Sequence, residues 1–249
     1  MKEERKHFAP GTLVAPVPPA MVTVGDFDNA NVLTIAWTGI LASQPPKTYI
    51  SVRPSRHSYG MLQERGEFVI NLPSENLARE VDFVGIYTGA KMDKFEKCGL
   101  TRIKSEKVAP PTIAECPIAI ECRVCAVVPM GSHDVFIADI VGVSCKDEII
   151  DSDGKMHFEK ANLLAYAHGE YYTLGQIVGR FGFSTDKPGK KKVAPRQTEK
   201  PSEKDNTGKP TVATVKKPFY ESAPRSKAQK KKISDKNKGA PHGKRKAAK

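Results

Sequence analysis

The stretch IAWTGILASQPPKTYISVRPSRHSYG, from Ile35 to Gly60, decides the fold class. Two runs rich in Ile, Val, Thr and Tyr flank a loop that holds Ser43, Gln44 and two prolines, which is the pattern of two strands joined by a turn. The chain's single tryptophan, Trp37, lies within the first run, and polar side chains follow the second. An apolar pair of strands with hydroxyl, amide and guanidinium groups at its ends indicates a strand unit that also binds something.

Similar short runs continue on both sides of this stretch. Strands are predicted at AMVTVGDFD, NVLTIAWTGI, KTYISVRP and EFVINLP, with a long hairpin at IAIECRVCAVVPMG and HDVFIADIVGVSC and a short strand at MHFEK. Helices are predicted at SYGMLQERG, at SENLAREVDFVGIYTG and in the first part of ANLLAYAHGEYYTLGQIVG. Many short strands with few helices predict a mainly β fold, a closed or nearly closed antiparallel barrel rather than a parallel α/β sheet.

The charge divides the 249-residue chain into two regions. From Lys187 onward there are 21 Lys and Arg against 5 Asp and Glu, whereas the preceding part has 19 against 23. The basic region has few large apolar residues, so it buries too little surface to offset its ordering entropy. We therefore expect one folded domain over residues 1–184 and a disordered, Lys-rich basic tail over residues 185–249.

The sequence gives no support for a membrane helix, a secretion signal, a metal site or a glycine-rich nucleotide site. The sequence contains no run of 18 apolar residues, so no membrane helix is predicted. The first residues also lack an apolar signal region. A cytoplasmic protein with reduced thiols is therefore expected. Cys122 and Cys125 stand three apart on a predicted strand, where they face opposite sides, so no metal site is predicted. No glycine-rich nucleotide fingerprint follows a strand.

A phosphate site needs hydroxyls, N–H donors and a cation that converge on one anion. Ser43 and Gln44 in the turn, with Arg56 and Ser58 after the next strand, have the right chemistry for such a site. Trp37 and the two residues that follow it, Thr38 and Gly39, offer an aromatic face and backbone groups to a planar heterocycle.

At these residues the sequence resembles the flavin reductase-like family, and in particular its flavoredoxin-type members. The resemblance implies the fold of that family, an FMN-binding split β-barrel, which is a Greek-key antiparallel barrel. The resemblance rests on NVLTIAWTGILASQPP, SVRPSRHSYGMLQERGEFVINLP, VDFVGIYTGAKMDKF, GSHDVFIADIVGV and AYAHGEYYTLG, in that order, and covers residues 10–180. It implies that Lys94 brings a cation to the flavin and that His133 lies near its redox face. The residues that it implies for binding FMN are Asn31, Trp37, Thr38, Gly39, Ser43, Gln44, Arg56, Ser58, Lys94, Tyr166 and His168.

The resemblance further implies a homodimeric flavoprotein that passes electrons from NAD(P)H or a redox protein to an acceptor such as flavin, ferric iron or a partner protein. The main alternative is a nucleic-acid- or ribosome-associated module that acts through the basic tail. Taken singly, the site residues also have ordinary structural explanations. Trp37 would be a core aromatic, Lys94 part of a solvated helix face, His133 a turn residue and Arg56 a helix cap.

Overall fold

The computed structural model describes residues 5–185, in which seven strands form one antiparallel sheet. Their order in the sheet is β2-β1-β5-β8-β9-β4-β3. The seven strands are β1 (Ala20–Gly25), β2 (Ala30–Ile35), β3 (Thr38–Ser43), β4 (Pro46–Val52), β5 (Glu67–Leu72), β8 (Ile118–Pro129) and β9 (Asp134–Cys145). Two small two-stranded sheets accompany it, formed by β6 (Arg102–Ile103) with β7 (Thr112–Ile113) and by β10 (Leu164–Ala167) with β11 (Glu170–Thr173).

The two edge strands of the large sheet, β2 and β3, are consecutive in the chain and are separated only by Ala36 and Trp37. A link of this length holds the two edges within about 11 Å of each other, since consecutive Cα atoms are ~3.8 Å apart. The sheet must therefore curl until its edges meet. β2 and β3 do not pair by hydrogen bonds, so the result is a barrel with one split.

The barrel interior and an outer layer form the two main clusters of the core. Inside the barrel, Val22, Ile50, Phe68 and Phe136 pack together and are fully or almost fully buried. Met21, which alternates with Val22 along β1, points to the other face. That outer face is covered by helices, so β1 is buried along its whole length.

Within residues 5–185, three helices cover the barrel: α1 (His57–Arg65), α2 (Ala78–Ile86) and α3 (Lys94–Cys98). As predicted, α1 ends at Gly66, which adopts the left-handed conformation with φ 64° and donates its N–H to the Leu62 carbonyl. A 3-10 turn, Glu75–Leu77, precedes α2, and Asp93 caps α3 by accepting the N–H groups of Phe95 and Glu96. Further 3-10 turns lie at Asp147–Ile149, Phe158–Lys160 and Phe183–Thr185.

The structure corrects three predicted elements. The run NVLTIAWTGI is not one strand, because it breaks at Ala36 and Trp37 into the two edges of the split. The segment around Tyr166 is the β10–β11 hairpin rather than a helix, and its turn is formed by His168 and Gly169, both with positive φ. MHFEK has no strand, and only Met156 forms an isolated bridge, with Ile150. The mainly β barrel itself is confirmed.

The predicted basic tail lies, except for residue 185, outside the described residues, so its boundary and its disorder remain predictions. Among residues 5–185, none of the helices has the length and apolar character required to cross a membrane.

Candidate functional site

A groove made of three adjoining cavities runs along the split of the barrel. The central cavity, of about 460 Å³, is bounded by Trp37, His133 and Arg56. The Lys94 pocket, of about 220 Å³, adjoins it and shares Leu33, Arg53 and Arg56 with it. The arm pocket, of about 350 Å³, lies at the other end, between the N-terminal residues 12–17 and the β10–β11 hairpin, and shares Trp37 and Tyr166 with the central cavity.

Lys94 is a buried cation and not part of a solvated helix face, since only 4% of it is exposed. It is the first residue of α3, which packs against β2 and α2 through Phe95. Its Nζ donates to the Val32 carbonyl at 2.9 Å and to the Val84 carbonyl at 2.8 Å. Burial, together with the nearby Arg56 guanidinium, lowers the pKa of Lys94 to about 8.

The ammonium group of Lys94 therefore retains binding capacity. It has three N–H donors, of which backbone carbonyls take two. No Asp or Glu of the described residues forms an ion pair with it. Since Lys94 lines the Lys94 pocket, its third donor and its uncompensated charge are available to an anion there.

Asn31 and Ser58 also line the Lys94 pocket, and both are buried. The Asn31 amide donates to the Ser58 hydroxyl at 2.7 Å, which leaves the Ser58 proton free to donate elsewhere. Gly89 comes so close that a Cβ on it would lie 2.2 Å from Asn31 Oδ1. Only glycine fits there, so Asn31 is fixed from both sides.

The amino-terminal end of α1 supplies backbone donors to the same pocket. Arg56 occupies the cap position with extended backbone angles, and no side chain caps the helix. Among the described residues, no acceptor pairs with the N–H of His57 or Ser58. Free N–H groups at a helix start favour a negative charge.

Arg56 joins the Lys94 pocket to the central cavity. Its Nη1 donates to the Gly85 carbonyl at 3.0 Å, which ties the start of α1 to the end of α2 across the groove. Arg53 lines the same two cavities, and its guanidinium forms no hydrogen bond or ion pair with another residue of the described range 5–185. The junction therefore carries two guanidinium charges.

Trp37 and His133 form an aromatic wall of the central cavity. Their rings lie 4.5 Å apart at an angle of 39°, and Trp37 remains 43% exposed, so it is not a core residue. The Ser132 hydroxyl is 2.9 Å from His133 Nδ1. Partial burial, and then Arg53 and Arg56, lower the pKa of His133, which favours the neutral imidazole near pH 7.

A hydrogen-bonded pair, Tyr171 and Asp82, also lines the central cavity. The Tyr171 hydroxyl donates to Asp82 Oδ1 at 3.2 Å, and its ring lies 5.3 Å from that of Tyr166. Burial, together with the Asp82 carboxylate, raises the pKa of Tyr171 to about 12. Tyr171 therefore stays protonated and can act only as a hydroxyl in this cavity.

Four of the predicted site residues do not line the groove of their own chain: Thr38, Gly39, Ser43 and Gln44. Ser43 pairs with Pro46 at the far end of β4, whereas Arg56 follows the near end, and a seven-residue strand separates its ends by about 20 Å. The predicted convergence of Ser43 and Gln44 with Arg56 and Ser58 is therefore not found within the chain. Thr38 and Gly39 are occupied by pairing with β4, where the Thr38 hydroxyl donates to the Tyr49 carbonyl at 2.5 Å.

The groove also contains residues that sequence analysis did not single out. These are Arg53 and Ser55 in the loop before α1, Asp82 on α2, Thr88 and Gly89 in the loop before α3, and Tyr171 on β11. All of them lie within the segments that carry the family resemblance, SVRPSRHSYG, VDFVGIYTGAKMDKF and AYAHGEYYTLG, although the sequence does not mark them individually.

Comparison with known proteins identifies the family to which this arrangement belongs. Residues 14–175 match the model of the flavin reductase like domain. The chain belongs to the flavin reductase-like family. It is similar to the flavoredoxin of Desulfovibrio vulgaris (Miyazaki F), with 32% identity, a TM-score of 0.69 and coverage of 74% of this chain and 100% of the other.

Two further proteins are similar to this chain. An uncharacterized protein of Archaeoglobus fulgidus is 33% identical over 150 residues, which is 60% of this chain and 84% of the relative. Nitrilotriacetate monooxygenase component B from Bacillus cereus shares the fold, with 23% identity, a TM-score of 0.61 and coverage of 67% and 88%. The split barrel, the family and the general class of flavin-related oxidoreductase are thus confirmed.

The groove has the chemistry that a flavin requires. The Lys94 pocket offers a cation, a hydroxyl and free backbone N–H groups to a phosphate. The central cavity offers an aromatic wall to a ring system, with guanidinium groups beside it.

Proposed function

We propose that this protein is an FMN-dependent oxidoreductase of the flavoredoxin type. The observation that carries the proposal is that Lys94 is buried without a carboxylate partner, in a pocket continuous with the Trp37–His133 cavity. Lys94, Ser58 and the start of α1 would hold the phosphate. The Lys94 pocket, at about 220 Å³, is smaller than the ~300 Å³ typical of the smallest drug-sized sites, which suits a terminal phosphate better than the adenosine of FAD.

When bound, FMN would supply the two-electron chemistry, and the protein's residues would bind, orient and tune it. Trp37 would cover part of the ring system. Arg53 and Arg56, which are exposed beside the cavity, would offset negative charge that develops on it by the attraction of opposite charges. Neutral His133 would donate or accept one hydrogen bond at the cavity wall.

The electron donor and acceptor belong to the same proposal. We propose NAD(P)H or a redox protein as donor, and flavin, ferric iron or a partner protein as acceptor. Steady-state assays with NADH and with NADPH, each with free FMN or a ferric chelate as acceptor, would distinguish an enzyme that uses a nicotinamide from an electron carrier. If neither NADH nor NADPH is oxidised, the protein would be an electron carrier that receives electrons from a redox protein.

We also propose a homodimer located in the cytoplasm. The edge strand β3 supports the dimer, since Ile40 and Leu41 are 69% and 50% exposed there. A closed two-fold dimer would cover such an edge. It would also allow Ser43 and Gln44 to contact a flavin across the interface. Light scattering of the flavin-loaded protein at micromolar concentration tests this, and a monomer would contradict it.

The basic tail, residues 185–249, is proposed to attract polyanions weakly and in a salt-sensitive manner. The alternative of a nucleic-acid- or ribosome-associated module gains no support from the fold or the relatives. Truncation after residue 184 should abolish retention on an anionic matrix at low salt and leave flavin binding unchanged. If the truncated protein loses its flavin, part of the tail contributes to the flavin site and the proposed separation of the two regions is wrong.

Titration with FMN, riboflavin and FAD tests the central proposal. FMN should bind most tightly, because only its terminal phosphate can reach Lys94 without a bulky substituent. Riboflavin should bind at least tenfold more weakly, since it lacks the phosphate and its charged hydrogen bonds. Equal affinity for FMN and riboflavin would contradict the assignment of the Lys94 pocket.

A further inference from the structure

The β10–β11 hairpin lines the central cavity but is not part of the barrel. Its two strands form a sheet of their own, without hydrogen bonds to the seven-stranded sheet. Tyr166 on β10 and Tyr171 on β11 nevertheless both line the central cavity. Because an isolated pair of strands is only marginally stable in water, contacts outside the hairpin must hold it in place.

Strand β10 is fixed firmly at its base and less firmly toward the turn. At the base, Leu164 is buried in the outer layer of the core and donates its N–H to the Pro73 carbonyl at 3.2 Å. Nearer the turn, Tyr166 exchanges two backbone hydrogen bonds, of 2.9 and 2.8 Å, with Val17. Residues 5–16, which precede Val17, are all exposed. The N-terminal segment therefore gives β10 limited support.

Strand β11 has one hydrogen bond to the rest of the described chain. Within residues 5–185, the bond from the Tyr171 hydroxyl to Asp82 Oδ1, at 3.2 Å, is the only one that joins β11 to a residue outside the hairpin. The Tyr171 ring packs, partly buried, against the outer layer of the core. The neighbouring Tyr172 hydroxyl donates to Glu170 within the hairpin. Since Asp82 on α2 also lines the central cavity, the Tyr171–Asp82 bond closes the boundary of the cavity between β11 and α2.

We propose that the β10–β11 hairpin opens to admit and release the flavin, and that the Tyr171–Asp82 hydrogen bond is the latch that holds it closed. The inference rests on the proposed function, because it takes the central cavity as the site of the flavin ring system. Segments with few buried contacts and few hydrogen bonds to their surroundings open most readily, and lids of binding sites are drawn from them. Tyr171 is therefore a positioning residue, which acts on flavin exchange through the hairpin.

A latch and a direct flavin contact predict different kinetics. If the Tyr171–Asp82 bond closes the hairpin in both the free and the flavin-loaded protein, its loss increases the open fraction of both states. Association and dissociation of flavin then accelerate together, and the Kd changes little. Loss of a direct contact would instead increase the dissociation rate alone and weaken binding.

Tyr171→Phe removes the hydroxyl and keeps the ring that packs against the core. In stopped-flow measurements on the full-length protein, FMN association and release should both accelerate roughly three- to tenfold, the scale of one exposed hydrogen bond, with the Kd within about twofold of wild type. Tyr172→Phe is the matched control, because its hydroxyl bonds only within the hairpin, and it should leave both rates unchanged. Wild-type rates in Tyr171→Phe, or a rise in its dissociation rate alone, would overturn the proposal.

The acceptor side of the latch is tested with a double-mutant cycle. Asp82→Ala removes the acceptor of the Tyr171 hydroxyl and also a charge beside the cavity. Adding Tyr171→Phe to Asp82→Ala should cause no further acceleration of FMN exchange, since the same hydrogen bond cannot be lost twice. An acceleration as large as that in the wild-type background would show that the two residues act independently and would contradict the latch.

Hydrogen exchange tests the hairpin without flavin, so the failure of this proposal and the failure of the proposed function are distinguishable. In the flavin-free protein, Tyr171→Phe should accelerate exchange of the backbone amides in residues 164–173 roughly threefold or more, while the amides of the buried strand β5 exchange as in wild type. If the wild-type protein binds no flavin, the proposed function fails. Unchanged exchange of the hairpin in Tyr171→Phe would overturn the latch whether or not flavin binds.

Discussion

Replacement of Lys94 by methionine tests the phosphate assignment most directly. The variant keeps the length and apolar stem of the side chain but removes a cation that is buried without a carboxylate partner. A hydrogen bond to a charged group contributes about 1.5–3 kcal/mol, so FMN should bind roughly 10- to 150-fold more weakly. Riboflavin has no phosphate for Lys94 to contact, so its affinity should change little.

The assay is a fluorescence titration of flavin-free protein with each flavin, carried out beside thermal unfolding to verify the fold. Lys97→Met is the matched control, because Lys97 is an exposed lysine on the same short helix, α3. It should leave both affinities unchanged. If Lys94→Met weakens riboflavin as much as FMN, Lys94 supports the structure of the pocket and does not contact the phosphate.

The pH dependence of FMN binding gives a second readout of the same residue. With its pKa lowered to about 8, Lys94 is charged below that value and must take up a proton to pair with a phosphate above it. FMN phosphate, whose second pKa is ~6, keeps its charge over this range. Wild-type affinity should therefore fall as pH rises from 8 to 10, by up to about tenfold per pH unit, and the fall should be absent in Lys94→Met. A flat wild-type profile would refute the assigned role of Lys94.

Three further changes test the pocket, the redox wall and the fold. Gly89→Ala should lower FMN affinity at least tenfold by displacing Asn31, whereas Gly60→Ala on α1, where a Cβ meets nothing within 4 Å, should not. His133→Ala should alter the reduction rate of bound flavin in stopped-flow experiments while the unfolding temperature stays the same. Wild-type kinetics with every donor would show that His133 plays no part in flavin reduction. His157, whose pKa is raised by two carboxylates, should stabilise the fold below the ordinary histidine pKa and lose that contribution as pH rises through the raised value. His157→Asn should flatten that part of the stability profile measured by denaturant unfolding.

The strands of the barrel are predictable from the sequence because alternation and turn residues mark them locally. The split is not, because Ile35, Ala36, Trp37 and Thr38 read as a continuous strand. Nothing in the local pattern indicates that the chain passes there from one edge of a seven-stranded sheet to the other. The sequence around Tyr166 predicts a helix instead of the β10–β11 hairpin because its apolar residues set no clear period, although Gly169 is a turn signal.

The site residues were predicted unevenly for a similar reason. Residues that flank the loop before α1 were found because a phosphate site requires that chemistry. Proximity in the sequence groups Ser43 and Gln44 with them, but within one chain the two ends of β4 are too far apart for both to reach one anion. The burial of Lys94 was not predictable from its neighbours Asp93 and Glu96, because its hydrogen-bond partners are carbonyls 62 and 10 residues away.

The carbonyls that hold Lys94 explain why the binding groove lies at the split. Val32 belongs to β2, an edge strand, and edge strands carry carbonyls that no neighbouring strand pairs. Val84 lies in the last turn of α2, where the carbonyls have no partner within the helix. Lys94 satisfies one acceptor of each kind. A carboxylate in the same place would have neutralised the ammonium group, whereas neutral carbonyls fix its position and leave its charge uncompensated. A fully closed barrel would pair every strand edge and offer no such acceptor beside β2. The split thus supplies both the space for a ligand and the backbone groups that keep a buried cation available to it.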